Sequence, residues 1–269
     1  MYKLFNNILL PIDVRRHSPA AVKKALQLSA QFSCDVHLLH VKGGLFTSKG
    51  ENDRSGEVKM KLLTLREQYA SFLPKGCMLH ISAREGKLEH ALAEYATVNH
   101  IDLILVNKPR HSLLSFQPRL NINRLAARTG CPVFSLQHAD AFRGIKNIVL
   151  PVGNTLPLRK IMLAIYMAKD SNAAIHLISL TGQHALTDLK NHAYLEKTYQ
   201  LLRENTTLPI RCKTVEGENI ADTTLEYARK VEADLILVNG SESVLSGSLN
   251  RLFAKFLFNH SSIPVITVA

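Results

Sequence analysis

The chain carries the same series of segments twice, and that repeat constrains its fold more than any other feature. FNNILLPID (residues 5–13) returns as IKNIVLPVG (145–153), and CPVFSL (131–136) returns as IPVITV (263–268). Between them, EGKLEHALAEYATVNHIDLILVN (85–107) returns as EGENIADTTLEYARKVEADLILVN (216–239). Asp234 follows Asp102 by 132 residues, and Pro264 follows Pro132 by the same 132. Solenoid repeats run to roughly 20–50 residues, so each copy here is a whole domain. The polar stretch His138–Gly144 marks the boundary and gives domains 1–140 and 141–269. A linker this short predicts two halves packed against each other, paired about an approximate twofold axis near Pro132–Leu136 and Pro264–Val268.

Within each half the pattern alternates in type. Ile8–Pro11 is a short apolar run ending at a turn, the mark of a buried strand. Ser18-Pro19 supplies a helix cap and a first-turn proline, and Val22, Ala25, Leu26 and Ser29 follow at helical spacing. Strands are expected at Val36–Val41, Met78–Ala83, Leu103–Val106 and from Pro132. Helices are expected at Val58–Phe72, through Leu88, Leu92 and Tyr95, and around Leu120–Arg128. The second half repeats this, with strands near 147–152, 174–180, 209–215, 235–239 and 264–268. Continuous apolar strands alternating with helices predict an α/β fold, a parallel sheet with helices on both faces. In such sheets ligands bind beyond the carboxyl ends of the strands, where the strand order reverses. The residues there are Ile12, Asp13, Asn107 and Lys108 in the first half, and Val152, Gly153, Asn239 and Gly240 in the second.

Composition excludes several classes. Hydrophobic residues make up 46% and charged residues 20%, which rules out disorder and collagen. No apolar run reaches the ~18 residues of a membrane span, and the N-terminus lacks a signal-peptide pattern. Four separated cysteines without a CxxC suit a reducing cytoplasm. The net charge is +11, with 19 basic and 11 acidic residues in 1–142 and 14 and 11 in 143–269. The basic residues are scattered and lack interleaved aromatics, which reads as a solvated surface and predicts no specific nucleic-acid site and no membrane contact.

LPID ending at Asp13, LHV ending at Val41, the DLILV run before Asn107 and Asn239, and the PV opening the last strand of each half together resemble the universal stress protein family in its tandem form. The resemblance implies two flavodoxin-like (Rossmann-like) domains, each a five-stranded sheet of order 3-2-1-4-5. It also implies a cytoplasmic stress-response protein that pairs domains through the last strand. Apart from the resemblance, a homodimer of whole chains is left open. Many members bind ATP through a G-x2-G-x9-G-S/T loop after strand four, with an Asp after strand one on the nucleoside. Glycines let backbone approach phosphate, and the following helix offers free N–H groups. Val41 and its counterpart Leu180 line the same strand ends.

The chain departs from that pattern in both halves. NKPRHSLLSFQPRL (107–120) contains no glycine. NGSESVLSGSLNRL (239–252) keeps Gly240, Gly247 and Ser248 at altered spacing. Arg119 and Arg251 stand where the family has its last glycine, followed by Leu120 and Leu252. Each arginine either holds an anion by its side chain or opens a basic helix. Asp13 is kept in the first half and replaced by Gly153 in the second. The reading is a non-enzymatic binding and regulatory module with degenerate nucleotide sites. The alternative is an ATP-binding protein with weak hydrolysis.

The remaining constellations are read as structural. His37 and His40 point to opposite faces of one strand, and His37 and His176 lean against covering helices. No metal-ligand spacing and no catalytic set is present. Ser246-Gly247-Ser248 is not a nucleophile elbow. Residues 43–57 form a polar surface loop. The cysteines are read as buried strand-end packing.

Overall fold

A computed structural model describes residues 3–14, 19–42, 55–107, 120–136, 144–153, 155–181, 185–217, 219–240, 257 and 261–268. The chain divides into two compact units, Met1–Asp140 and Ala141–Ala269.

The first unit runs β1 (Asn7–Pro11), α1 (Pro19–Phe32), β2 (Asp35–Lys42), α2 (Ser55–Ala70), β3 (Leu79–Glu85), α3 (Leu88–Val98), β4 (Leu103–Asn107), α4 (Ile122–Thr129) and β5 (Val133–Leu136). Its strands are parallel in the order β3-β2-β1-β4-β5. The second runs β6 (Asn147–Pro151), α5 (Leu158–Ala168), β7 (Ala174–Thr181), α6 (Ala185–Asn205), β8 (Ile210–Glu216), α7 (Ile220–Lys230), β9 (Leu235–Asn239) and β10 (Val265–Val268). Its order is β8-β7-β6-β9-β10, again parallel. Each unit therefore has the doubly wound topology that the sequence predicts. Crossovers between parallel strands are right-handed. Strands one to three step one way across the sheet and strand four returns, so α1 and α2 cover one face and α3 and α4 the other, and in the second unit α5 and α6 lie opposite α7.

The central strands are the most apolar because both of their faces are covered. Ile8, Leu9 and Leu10 are fully buried, as are Leu103–Leu105 and Ile148–Leu150. The helical spacing holds: Val22, Ala25, Leu26 and Ser29 are buried on α1, and Leu88, Leu92 and Tyr95 on α3. Ser18 lies outside the described residues.

Three features differ from the sequence reading. First, the 132-residue offset belongs only to strands four and five. The registers set Leu9 against His37 and Val149 against His176, so the offset is 140 at strand one and 139 at strand two. His37 pairs with His80 and His176 with Arg211, which makes it 131 at strand three. The eight extra residues of the first half thus fall between β2 and β3. Second, Ser55–Glu57, read as loop, open α2, and residues 43–54 lie outside the described residues. Third, Cys34 and Cys131 are buried, but Cys77 is half-buried and Cys212 is exposed. Cys212 sits on β8, an outer strand with most residues open to solvent.

Candidate functional site

The sheet of each unit opens where strand order reverses. The β1–β4 ladder registers only Ile8↔Leu103 and Leu9↔Ile104, and the β6–β9 ladder only Ile148↔Leu235 and Val149↔Ile236. Beyond these pairs the strand ends flank a crevice.

In the first unit Ile12 is buried, and its N–H donates to Leu39 O at 2.9 Å. The Ile12 carbonyl accepts from His40 Nδ1 at 3.2 Å. A carbonyl can only accept, so this bond puts the His40 proton on Nδ1 and leaves Nε2 a lone pair. That Nε2 is buried with no hydrogen-bond partner. Asp13 follows, half-exposed, at the crevice. Val41 is buried at the end of β2, and Asn107 ends β4 opposite Leu136. Lys108 and Arg119 lie outside the described residues.

In the second unit Val152 N–H donates to Ile178 O at 2.8 Å, the same bond as in the first. Gly153 stands in the place of Asp13, and a Cβ built there would meet nothing within 4 Å among the described residues. Leu180 is buried like Val41. Asn239 pairs with Val268, and Gly240 is buried with its N–H donated to Val268 O at 2.7 Å. Gly247, Ser248 and Arg251 lie outside the described residues.

Sequence reading missed Lys160. This lysine, in the first turn of α5, is only 4% exposed, and its Nζ donates to Pro151 O at 2.7 Å. Lys146 O and Val152 N face β7, whereas Asn147 O accepts from Asp234 N beside β9. Even-numbered residues of β6 thus face β7 and odd-numbered ones face β9, so the Pro151 carbonyl points into the crevice. Lys160 brings an ammonium to that carbonyl where strand pairing has ended. The signal was available in the repeat. Aligning buried Val22, Ala25 and Leu28 of α1 with Ile161, Ala164 and Met167 of α5 sets Ala20-Ala21 against Arg159-Lys160.

At the other end of the strands both units carry one network. His37 Nε2–H donates to Asn7 Oδ1 at 3.2 Å, and Tyr95 O–H donates to His37 Nδ1 at 3.0 Å. His176 makes the same bonds with Asn147 at 3.2 Å and Tyr227 at 3.1 Å. Asp102 Oδ2 accepts from the N–H groups of Asn6 and Asn7, and Asp234 Oδ2 from those of Lys146 and Asn147. Burial lowers the pKa of His37 to about 4, helped by His80 stacked at 4.3 Å and opposed by Asp35. Burial, then Arg211, lowers that of His176. These histidines are neutral structural groups, packed on α3 and α7 as their strand parity predicts. Burial pushes the Cys34 thiol up to about 12 and raises Cys131 and Cys212, away from nucleophilic character.

Among the described residues no group of three His, Cys, Asp or Glu could hold a metal. No described helix is long and apolar enough to cross a membrane.

The fold is similar to that of solved proteins along its whole length. One is a functionally unknown protein from Pseudomonas aeruginosa PAO1, 19% identical, with a TM-score of 0.65, covering 98% of this chain and 92% of that one. Another is a universal stress protein from Archaeoglobus fulgidus DSM 4304, 13% identical, with a TM-score of 0.73, covering 100% of this chain and 99% of that one. At these identities the likeness speaks for the fold. No curated protein matches the chain in sequence. The family description Universal stress protein family matches residues 4–134, essentially the whole of the first unit. The first unit thus belongs to the universal stress protein family, and the second repeats its strand order and strand-end sequences.

Proposed function

We propose that this stress-response protein of universal stress type is a non-enzymatic binding and regulatory module in which neither unit holds a whole nucleotide site. One observation carries the reading: the requirements for ATP are split between the units. The first keeps the carboxylate Asp13 but follows β4 with NKPRHSLLSFQPRL, where side chains and an N–H-less proline replace a glycine cradle. The second keeps Gly240, Gly247 and Ser248 but has Gly153 in place of the carboxylate.

The residues present fit ATP poorly. The Gly240 N–H, first after β9, is taken by Val268 O, so it is not offered to a phosphate. In the first unit Asp13 could meet a nucleoside, but the sequence after β4 supplies no glycine cradle for the triphosphate. The second reading, a nucleotide-binding protein with weak ATP hydrolysis, draws on Asp13 and the Gly240/Gly247/Ser248 remnant. In that case Arg119 or Arg251 would hold the anionic end of the ligand. Native mass spectrometry of the purified chain separates the two. The proposal expects the mass of the bare polypeptide, and a stoichiometric nucleotide adduct favours the alternative.

A further inference from the structure

We propose that Cys34 and Cys77 are a thiol pair that small disulfides of the glutathione class oxidise to a protein disulfide, with Cys77 reacting first. The pair lies where β2 and β3 begin, at the opposite end of the strands from the crevice, and the proposal does not depend on the nucleotide reading.

Three observations bring the two sulfurs together. The first is register. Val36 pairs with Leu79, so Cys34 stands opposite Cys77, each two residues earlier. The chains are still joined one residue before that pair, because Val36 N–H donates to Met78 O at 3.0 Å and Met78 N–H donates to Asp35 Oδ1 at 2.9 Å. Neighbouring strands lie about 4.8 Å apart, and a disulfide spans Cα separations of about 4.4–6.8 Å. The second is face. His37 bonds Tyr95 of α3, so Cys34, three residues before it, faces the other side, where its S–H meets Leu28 O of α1 at 3.9 Å. Cys77 has the parity of Leu79, which pairs with Val36 on that same side. The third is electrostatic. Burial, and next the Cys77 sulfur, push the Cys34 thiol up to about 12, and Cys77 acts more strongly there than the adjoining Asp35. Packing alone does not require sulfur at either position. In the second unit the equivalent positions, three residues before His176 and Arg211, are Ala173 and Leu208, 1% and 9% exposed.

Access sets the order of reaction. Cys77 is half-buried and Cys34 is buried. The thiolate is the nucleophile, and a thiol held as high as that of Cys34 supplies little of it at neutral pH. Cys77 therefore attacks the small disulfide. That S–S bond breaks, one small thiol leaves with the Cys77 proton, and a mixed disulfide remains. Cys34 then gives up its proton, attacks the Cys77 sulfur and expels the second small thiol. Two protein thiols are oxidised to one disulfide, and one small disulfide is reduced to two thiols. The new bond ties outer strand β3 to β2 and closes a loop over residues 34–77 that contains α2.

The test incubates the full chain with excess oxidised glutathione, alkylates the remaining thiols in denaturant and assigns them by peptide mapping. In most chains Cys34 and Cys77 should lose alkylation together, and a linked peptide of the two, lighter by two hydrogens, should appear. Cys34→Ala copies Ala173, so it should fold and stop at a stable glutathione adduct on Cys77. Cys77→Ser should leave Cys34 fully alkylated; should Cys34→Ala not fold, this variant decides. Alkylation retained on both cysteines, a glutathione adduct that persists on Cys77 in the unaltered chain, a bond from either to Cys131 or Cys212, or oxidation of Cys34 in Cys77→Ser would overturn the proposal.

Discussion

Asp102 and His37 show how far single residues hold each unit together. Asp102 Oδ2 takes two backbone N–H groups, at 2.7 and 3.0 Å, where β1 begins, and Asp234 repeats the arrangement at 2.8 and 3.0 Å. Charge-assisted bonds to backbone are among the stronger ones, so Asp102→Ala is expected to cost about 1–3 kcal/mol. Urea denaturation checks this, and Asp234→Ala should cost a similar amount in the second unit. His37 predicts a pH dependence. Its folded pKa, about 4, lies below the unfolded value of 6.5, so between them the unfolded chain binds the proton and the folded chain does not. Its contribution is complete above pH 6.5 and is lost as pH falls to about 4, a change of up to about 3 kcal/mol. Denaturation midpoints between pH 7 and pH 4 should fall, and His37→Gln should flatten that slope. An unchanged slope in the variant would remove His37 from the account.

At the scale of elements, α4 positions the end of the first crevice through its caps. Asn121 accepts from Arg124 N–H at 3.1 Å, and Gly130 ends the helix at φ 69° with its N–H on Ala126 O at 2.8 Å. Gly130→Ala puts a Cβ into the left-handed region and should lower stability by about 1 kcal/mol, as should Asn121→Ala. Thermal melts of the two variants check both values. Strand identity was legible because buried parallel strands such as Leu103–Val106 are nearly pure apolar runs, and because the repeat states them twice, whereas strand order came only from the family resemblance. Helix faces were legible from spacing, as at Leu88, Leu92 and Tyr95. The change of offset was written in the repeat as well, since residue 145 follows residue 5 by 140 and Pro264 follows Pro132 by 132, but the strand registers were needed to place the eight extra residues between β2 and β3. Lys160 was easier to miss. A lysine in a first turn reads as solvated, and its burial shows only when α5 is aligned on α1, where Lys160 takes the place of buried Ala21. His40 was assigned a face by parity, but its bond to Ile12 O depends on the strand register, which no single segment specifies.

For the whole molecule, the account is one of duplication followed by divergence. Both units keep the His–Tyr–Asn network and the paired Asp102 and Asp234 contacts at one end of the sheet, where they fix strand register. At the opposite end, Asp13 of the first unit is matched by Gly153 in the second, and Ala20-Ala21 by Arg159-Lys160. The end that maintains the fold is the same in both copies, and the end that would meet ligand is not. The surplus of positive charge is scattered, so polyanion binding should be weak and should fall steeply with added salt. If, as proposed, neither copy holds a whole ATP site, calorimetry of the full chain with ATP and magnesium will show no binding tighter than about 100 μM. A saturable isotherm in the low micromolar range, unaffected by Arg251→Ala, would contradict the proposal.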